Sequence, residues 1–103
     1  MYSIVFITAK DNEEAKRIAQ GLLKEKLIAC ANIIPGVQSM FWWEGKIDEA
    51  GEALLILKTK RSLIKKVIKT VKVLHSYQVP EVIALPIIEG NKDYLKWVNE
   101  SVK

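Results

Sequence analysis

Two side chains of this sequence suit metal chemistry, and each is the only one of its type. Cys30 is the only cysteine and His75 the only histidine among 103 residues. A thiolate together with an imidazole favours copper or zinc. We therefore predict Cys30 and His75 as ligands of copper or another divalent cation. A tight zinc site normally has four ligands, so further copies of the chain, or the carboxylates Glu44 and Glu81, would have to complete the shell.

The alternative for Cys30 is a structural role. It lies between Ala29 and Ala31 in an apolar stretch, where a free cysteine usually packs as a small buried hydrophobic residue. An inaccessible thiol would contradict the metal prediction. The sequence contains no Cys-x-x-Cys pair, which excludes a metallochaperone built on that motif.

A second candidate site combines polar and aromatic side chains at the ends of predicted strands and helices. Small-molecule pockets tend to form at such places between subunits. The alternative is that Tyr77 and Trp97 pack in an interface and that Lys58 is a solvated strand end. The predicted cleft residues are Lys58, His75, Tyr77, Glu81 and Trp97.

Length and composition predict one soluble globular domain that covers residues 1–103. Hydrophobic residues make up 50% and charged residues 27%, which excludes a disordered chain. No apolar run approaches the roughly 20 residues of a membrane helix, and the N-terminus lacks the pattern of a signal peptide. A single cysteine forms no internal disulfide, so we expect a cytoplasmic protein with no membrane partner.

The net charge of +4 and the pI near 9.2 raise the question of nucleic-acid binding. Most lysines, however, lie at helical spacing opposite apolar residues, which is the pattern of a solvated helix face. Trp42 and Trp43 could stack on bases, but the chain lacks the Lys/Arg-Gly-aromatic run of an RNA-binding sheet. We predict no nucleic-acid partner.

Periodicity and turn residues predict four strands. The first, Ser3–Thr8, is apolar enough to lie centrally in a sheet. The last, Val82–Ile88, contains Pro86, which places it at an edge or ends it early. Between them, residues 29–58 form an unusually long hairpin that turns at Glu44-Gly45-Lys46.

Three helices separate and follow these strands. Asp11, Ser62 and Asn91 are the predicted N-caps, and Glu14 completes a capping-box pattern after Asp11. The apolar stripes are Ala15, Ile18, Ala19, Leu22 and Leu23 in the first helix, Leu63, Val67, Val71 and Leu74 in the second, and Tyr94, Leu95, Trp97 and Val98 in the last.

The long hairpin is too long for its own domain. An arm of fourteen residues extends roughly 45 Å, whereas a domain of this length is about 33 Å across. The overhang carries Phe41, Trp42 and Trp43, so we predict that these residues lie in an interface with another subunit. Pro35-Gly36 predicts a bulge in the first arm, and Gly51 a second irregularity in the other.

The order βαβ–βαβ plus a helix predicts a ferredoxin-like α+β fold with both main helices on one face of an antiparallel sheet. The last helix would pack at the end of the sheet or against a neighbour. An acylphosphatase shares this fold but needs an arginine after the first strand, where this chain has Ala9-Lys10-Asp11-Asn12. Without a Gly-x-Ser-x-Gly motif, a phosphate loop or an acid paired with the histidine, we predict that the protein is not an enzyme.

Five blocks of the sequence, in order, resemble the CutA divalent-cation-tolerance proteins: residues 27–32, 42–47, 57–59, 75–81 and 94–97. The resemblance implies a trimer with long hairpins paired across subunits, similar in architecture to PII-like signalling proteins. It also implies tolerance to divalent cations, notably copper, and metal binding. The family commonly has His-Pro-Tyr where this chain has His75-Ser76-Tyr77, which frees the backbone beside the histidine.

We therefore expect a homotrimer that binds divalent metal ions and acts in metal response or signalling. Two other functions remain open from the sequence. A PII-like regulator would bind a small anionic metabolite in the intersubunit cleft through Lys58, His75 and Tyr77. A trimeric scaffold would instead recruit a partner protein.

Overall fold

The chain folds into four antiparallel strands and three α-helices, in a computed structural model that describes every residue from Met1 to Lys103. The strands lie in the order second, third, first, fourth, which confirms the predicted ferredoxin-like α+β fold with a central first strand. In chain order the elements are β1 (Tyr2–Ala9), α1 (Asn12–Lys24), β2 (Cys30–Trp43), β3 (Lys46–Lys60), a 3₁₀ turn (Arg61–Leu63), α2 (Ile64–Leu74), β4 (Val82–Pro86) and α3 (Lys92–Ser101).

The hydrophobic core lies on one face of this sheet. Every second residue of β1 is buried, and Val5 pairs with Leu57 of β3, so both side chains point to the same side. The apolar stripes of α1 and α2 cover this side, with Ile18 fully buried. The prediction for Leu23 is wrong. This side chain is 41% exposed because the buried stripe of α1 ends at Leu22.

The helices begin as predicted at two of three positions. The side chains of Asp11 and Asn91 each accept a backbone N–H, at 2.8 and 2.9 Å. Ser62 is not a cap, since it lies inside the 3₁₀ turn and α2 starts two residues later without a side-chain cap. The Glu14 carboxylate accepts its hydrogen bonds from Lys10 and from a segment distant in sequence.

The hairpin of β2 and β3 has one bulge and a tight turn. The register shifts between Ile34 and Val37, which confirms the bulge predicted at Pro35-Gly36. Glu44 and Gly45 have φ angles of 50° and 79°, as a two-residue hairpin turn with a matching twist requires. No shift occurs at Gly51, so the second predicted irregularity is wrong.

The distal half of the hairpin extends beyond the rest of the sheet. β1 pairs with β3 only from Ala53 to Lys60, so residues 37–52 form a two-stranded ribbon, and the molecule measures 44 × 25 × 22 Å. Trp42 is 73% exposed, and Phe41 and Trp43 are also exposed in the single chain. The sheet face opposite the core leaves Ile83 and Leu85 about half exposed as well.

The third helix packs at one end of the sheet, as predicted. Val98 is fully buried in the core, and the N–H of Lys103 donates to the carbonyl of Lys26 at 3.0 Å, just before β2 begins. None of the three helices combines the length and the hydropathy of a membrane span.

Candidate functional site

Within one chain, the predicted site residues divide between two ends of the sheet. Lys58 pairs with Cys30 and with Ile4, whereas the carbonyl of Thr8, four residues further along β1, contacts His75. Four residues of strand span about 13 Å. We call Cys30, Lys58, Tyr94 and Trp97 the Cys30 end, and Glu14, Glu52, His75, Tyr77 and Glu81 the Tyr77 end.

The Cys30 end holds an accessible thiol. Cys30 is half-buried, and its Sγ lies 3.5 Å from the Tyr94 hydroxyl, whose ring stacks at a tilt on Trp97 at 5.4 Å between centroids. The hydrogen bond with Cys30, together with burial, raises the pKa of Tyr94 to about 12. The Lys58 ammonium donates to the Asn32 side-chain oxygen. The thiol therefore remains open to a metal in the single chain.

His75 is buried at the Tyr77 end, with both ring nitrogens engaged. Nε2 lies 2.7 Å from the Thr8 carbonyl oxygen, which only accepts, so Nε2 carries the proton. Nδ1 accepts the N–H of Tyr77 at 3.0 Å. To bind a metal, His75 would have to give up one of these hydrogen bonds. The structure therefore does not bring Cys30 and His75 together as a ligand pair within one chain.

Glu14 belongs to this end, although the sequence motifs assigned it only to a helix cap. Its side chain is fully buried, and it accepts the Lys10 N–H at 3.0 Å and the Ser76 N–H at 2.8 Å. Its Oε1 lies 3.8 Å from Nδ1 of His75, beyond hydrogen-bond distance, so folding places an acid beside the histidine that no sequence motif indicated. The sequence does contain one indication that Glu14 is buried. Its spacing from Ile18 and Leu22 places it on the buried stripe of α1.

The charge of Glu14 is stabilised despite its burial. Burial by itself would raise the pKa of this carboxyl, but the hydrogen bonds from Ser76 and from the Lys10 N–H, with His75 nearby, outweigh it and lower the pKa. The group is not arranged as a catalytic triad, because Nε2 of His75 faces a backbone carbonyl and no nucleophile.

Tyr77 connects this buried cluster to a pair of carboxylates. Its hydroxyl donates to Oε2 of Glu52 at 2.7 Å, and burial together with this bond raises the pKa of Tyr77 well above its usual value. Partial desolvation and the charge of Glu52 also raise the pKa of Glu81, although Glu81 keeps contact with solvent. Glu52 thus lies close enough to Glu81 to disfavour the charge of the Glu81 carboxylate.

These residues border a cleft of about 930 Å³ between the ribbon of the hairpin and the segment that follows α2. Its charged lining residues are all carboxylates, and Phe41, Trp42 and Trp43 form part of an apolar wall. Lys58 and Trp97, predicted for the same cleft, lie instead at the Cys30 end. The acidic lining residues are Asp48, Glu49, Glu52 and Glu81.

Comparison with known proteins identifies the family. The sequence profile described as CutA1 divalent ion tolerance protein matches residues 3–101. The chain belongs to the CutA1 family. The divalent-cation tolerance protein CutA of Archaeoglobus fulgidus is 47% identical over 103 residues, with 100% of both chains covered. The solved structure of the divalent cation tolerance protein Cut A1 from Thermus thermophilus superposes with a TM-score of 0.98 at 45% identity, covering 100% of both chains.

Some family members are longer and carry the names of different compartments. Rice protein CutA 1, chloroplastic, is 48% identical over 97% of this chain, but the chain spans only 56% of that relative, and 55% of the Arabidopsis thaliana one. The solved structure from A. fulgidus is that of a periplasmic divalent cation tolerance protein. The cytoplasmic localisation of this chain stays a prediction.

Proposed function

We propose that the chain acts in divalent-cation tolerance as a homotrimer that binds the cation itself at the acidic cleft of the Tyr77 end. The observation that carries this proposal is the cleft's charge, since every charged residue of its lining is a carboxylate. Glu52 and Glu81 would supply the oxygen ligands. A bound cation would offset the charge of Glu52, which raises the pKa of Glu81 together with partial desolvation.

Carboxylates are suitable ligands for a divalent metal ion, but the single chain holds no group of three or more His, Cys, Asp or Glu side chains placed to bind one, so a neighbouring copy would complete the shell. Carboxylate oxygens suit Mg²⁺, Ca²⁺ and Mn²⁺, and for any given site of this kind Cu²⁺ binds more tightly than the other first-row divalent ions. Copper would therefore occupy a carboxylate site when it is in excess, without a thiol. Cys30 remains a second, separate candidate ligand for copper, at the opposite end of the sheet.

Three features support a trimer. The ribbon exposes Phe41, Trp42 and Trp43, the sheet exposes apolar residues on its free face, and β2 has an unpaired edge fourteen residues long. A second copy would cover the aromatic residues and border the cleft. Cation binding in the cleft would then alter a contact between subunits. We propose this change as the basis of a metal response.

The rival function, binding of an anionic metabolite, has less support from the cleft. Carboxylates repel an anion, and Lys58 would have to come from a neighbouring copy of the chain. A scaffold that recruits a partner protein needs no ligand, so neither a cation nor an anionic metabolite would bind in the cleft.

Calorimetric titration of the purified protein with Mn²⁺ and with Cu²⁺ tests the proposal. We expect saturable binding of both ions, weakened about tenfold or more in Glu81→Gln, and unchanged Mn²⁺ binding in Cys30→Ser. Sedimentation of the same samples at micromolar concentration should show three copies per particle. Absence of Mn²⁺ binding would overturn the site, and a stable folded monomer would overturn the trimer.

Copper binding that disappears in Cys30→Ser and persists in Glu81→Gln would move the metal to the Cys30 end. Retention of an anion by the native protein, lost in Lys58→Ala, would favour the metabolite regulator. Binding of neither kind of ligand would favour the scaffold.

A further inference from the structure

We infer that Glu14 is a positioning residue that fixes Tyr77, and through it Glu52, at the wall of the acidic cleft. Glu14 itself does not reach the cleft. It acts on the cleft indirectly, through its hydrogen bond with the segment that follows α2. The inference rests on the proposed function for its consequence in cation binding, but the positioning itself can be tested without any cation.

Three hydrogen bonds hold the start of this segment against α1 and β1. The Ser76 N–H donates to Oε2 of Glu14 at 2.8 Å, the Tyr77 N–H donates to Nδ1 of His75 at 3.0 Å, and Nε2 of His75 bonds to the Thr8 carbonyl at 2.7 Å. The rings of His75 and Tyr77 also lie in contact, with centroids 4.6 Å apart. The backbone N–H groups of Ser76 and Tyr77 are therefore both bonded to buried side chains.

The other end of the Tyr77 side chain meets the cleft. Its hydroxyl donates to Oε2 of Glu52 at 2.7 Å, and both residues line the cleft, as Ser76 does. A shift of the backbone at residue 76 would carry the phenol away from this oxygen. The Glu52 carboxylate would lose the donor that orients it, and the distance between Glu52 and Glu81 would no longer be set.

Only a carboxylate can hold this position. Glu14 uses its two oxygens for two different backbone donors, Lys10 N–H and Ser76 N–H. An amide has one acceptor oxygen, and its NH₂ group would face the other N–H donor. Glu14→Gln therefore keeps the shape of the side chain but loses at least one of the two anchors.

A change at Ser76 separates positioning from charge. His75 has φ −79° and ψ 143°, so it already has the extended conformation that proline requires of the residue before it in Ser76→Pro. The proline removes the N–H that bonds to Glu14 and leaves the Glu14 carboxylate in place. Ser76→Ala keeps the N–H and is the matched control.

Hydrogen exchange of the Tyr77 amide reports the position of this segment directly, because its N–H is bonded to Nδ1 of His75. In the native protein we expect the Ser76 and Tyr77 amides to exchange slowly. We expect the Tyr77 amide to exchange about tenfold faster or more in Ser76→Pro and Glu14→Gln, while Ser76→Ala changes its rate least.

Mn²⁺ affinity is measured on the same variants and should fall about tenfold in Ser76→Pro and Glu14→Gln, as changes behind metal ligands commonly do. Rapid hydrogen exchange of the Ser76 and Tyr77 amides in the native protein would overturn the inference, and this measurement does not depend on any variant folding. So would an unchanged exchange rate of the Tyr77 amide in folded Ser76→Pro. Failure of the native protein to bind Mn²⁺, with the exchange of the Tyr77 amide as expected, would overturn the proposed function alone.

Discussion

The two ends of the sheet carry the two groups of candidate residues, and they are built in different ways. At the Tyr77 end, the fully buried carboxylate of Glu14 accepts the Ser76 N–H, and the buried ring of His75 accepts the Tyr77 N–H and donates to a carbonyl of β1. At the Cys30 end, a half-exposed thiol contacts one hydroxyl, and an exposed lysine–asparagine pair lies beside it. The Tyr77 end therefore has more and better buried hydrogen bonds than the Cys30 end.

This difference teaches that reactive residue types do not by themselves mark the organised site. Cys30 and His75 are the residues with the most metal chemistry, yet the fold uses the ring of His75 as a structural connector. The carboxylates of the cleft carry less distinctive chemistry, but one of them, Glu52, is held by the hydroxyl of Tyr77. Preorganised ligands bind at a lower entropic cost, which favours the Tyr77 end as the site.

The largest expected effect tests whether the Tyr77 end is really fixed from within. Glu14→Ala removes a fully buried carboxylate that accepts two backbone N–H groups, so the free energy of unfolding should fall by about 3 kcal/mol. Urea denaturation measures it. The neighbouring exposed Glu13→Ala is the matched control and should cost less than about 0.5 kcal/mol. Equal small losses in both variants would contradict the comparison.

The second largest effect is expected when a tyrosine is replaced by phenylalanine at each end of the sheet in turn. Tyr77→Phe removes a hydrogen bond to the charged Glu52 carboxylate and should lower the free energy of unfolding by about 2 kcal/mol. Tyr94→Phe removes a weak contact with a thiol on an exposed helix face and should cost less than about 0.5 kcal/mol. A reversed order, measured by denaturation at the same pH, would show the Cys30 end to be the better organised one.

The pH dependence of stability should report Glu14. Its pKa is lower in the folded chain than its usual value of 4.5, so its contribution is present above that value and is lost as the pH falls through the folded pKa. The native protein should therefore lose stability below about pH 4.5 more steeply than Glu14→Gln does. Parallel curves for the two proteins would mean that the buried carboxylate is not held ionised.

The smallest effect is expected at the thiol. Cys30→Ser changes a half-exposed side chain at the edge of the sheet, and the free energy of unfolding should change by less than about 0.5 kcal/mol. The melting temperature with and without reductant, for both proteins, measures it. A loss well above that size would show that the thiol packs as a core residue once subunits assemble, which would remove it as a copper ligand.

Much of the local structure could be predicted from the sequence. The alternation in β1, the caps at Asp11 and Asn91, the turn at Glu44-Gly45 and the bulge after Ile34 depend on neighbours within a few residues, so their patterns are complete in the chain itself. The length of the hairpin and its aromatic residues likewise predicted a ribbon extending beyond the sheet, which the structure has.

The candidate site was decided by the tertiary structure. Glu14 and Ser76 are 62 positions apart, and Thr8 and His75 are 67 apart, so no periodic pattern could show that they bond. Cys30 and His75 lie at opposite ends of the sheet because of the strand register. The register fixes which residues of β1 and β3 pair with each other, and therefore which side chains lie close together. The sequence by itself determined the elements and the exposed ribbon. Only the packing of elements determined which polar groups meet, because the partners of a buried charge are chosen by three-dimensional proximity.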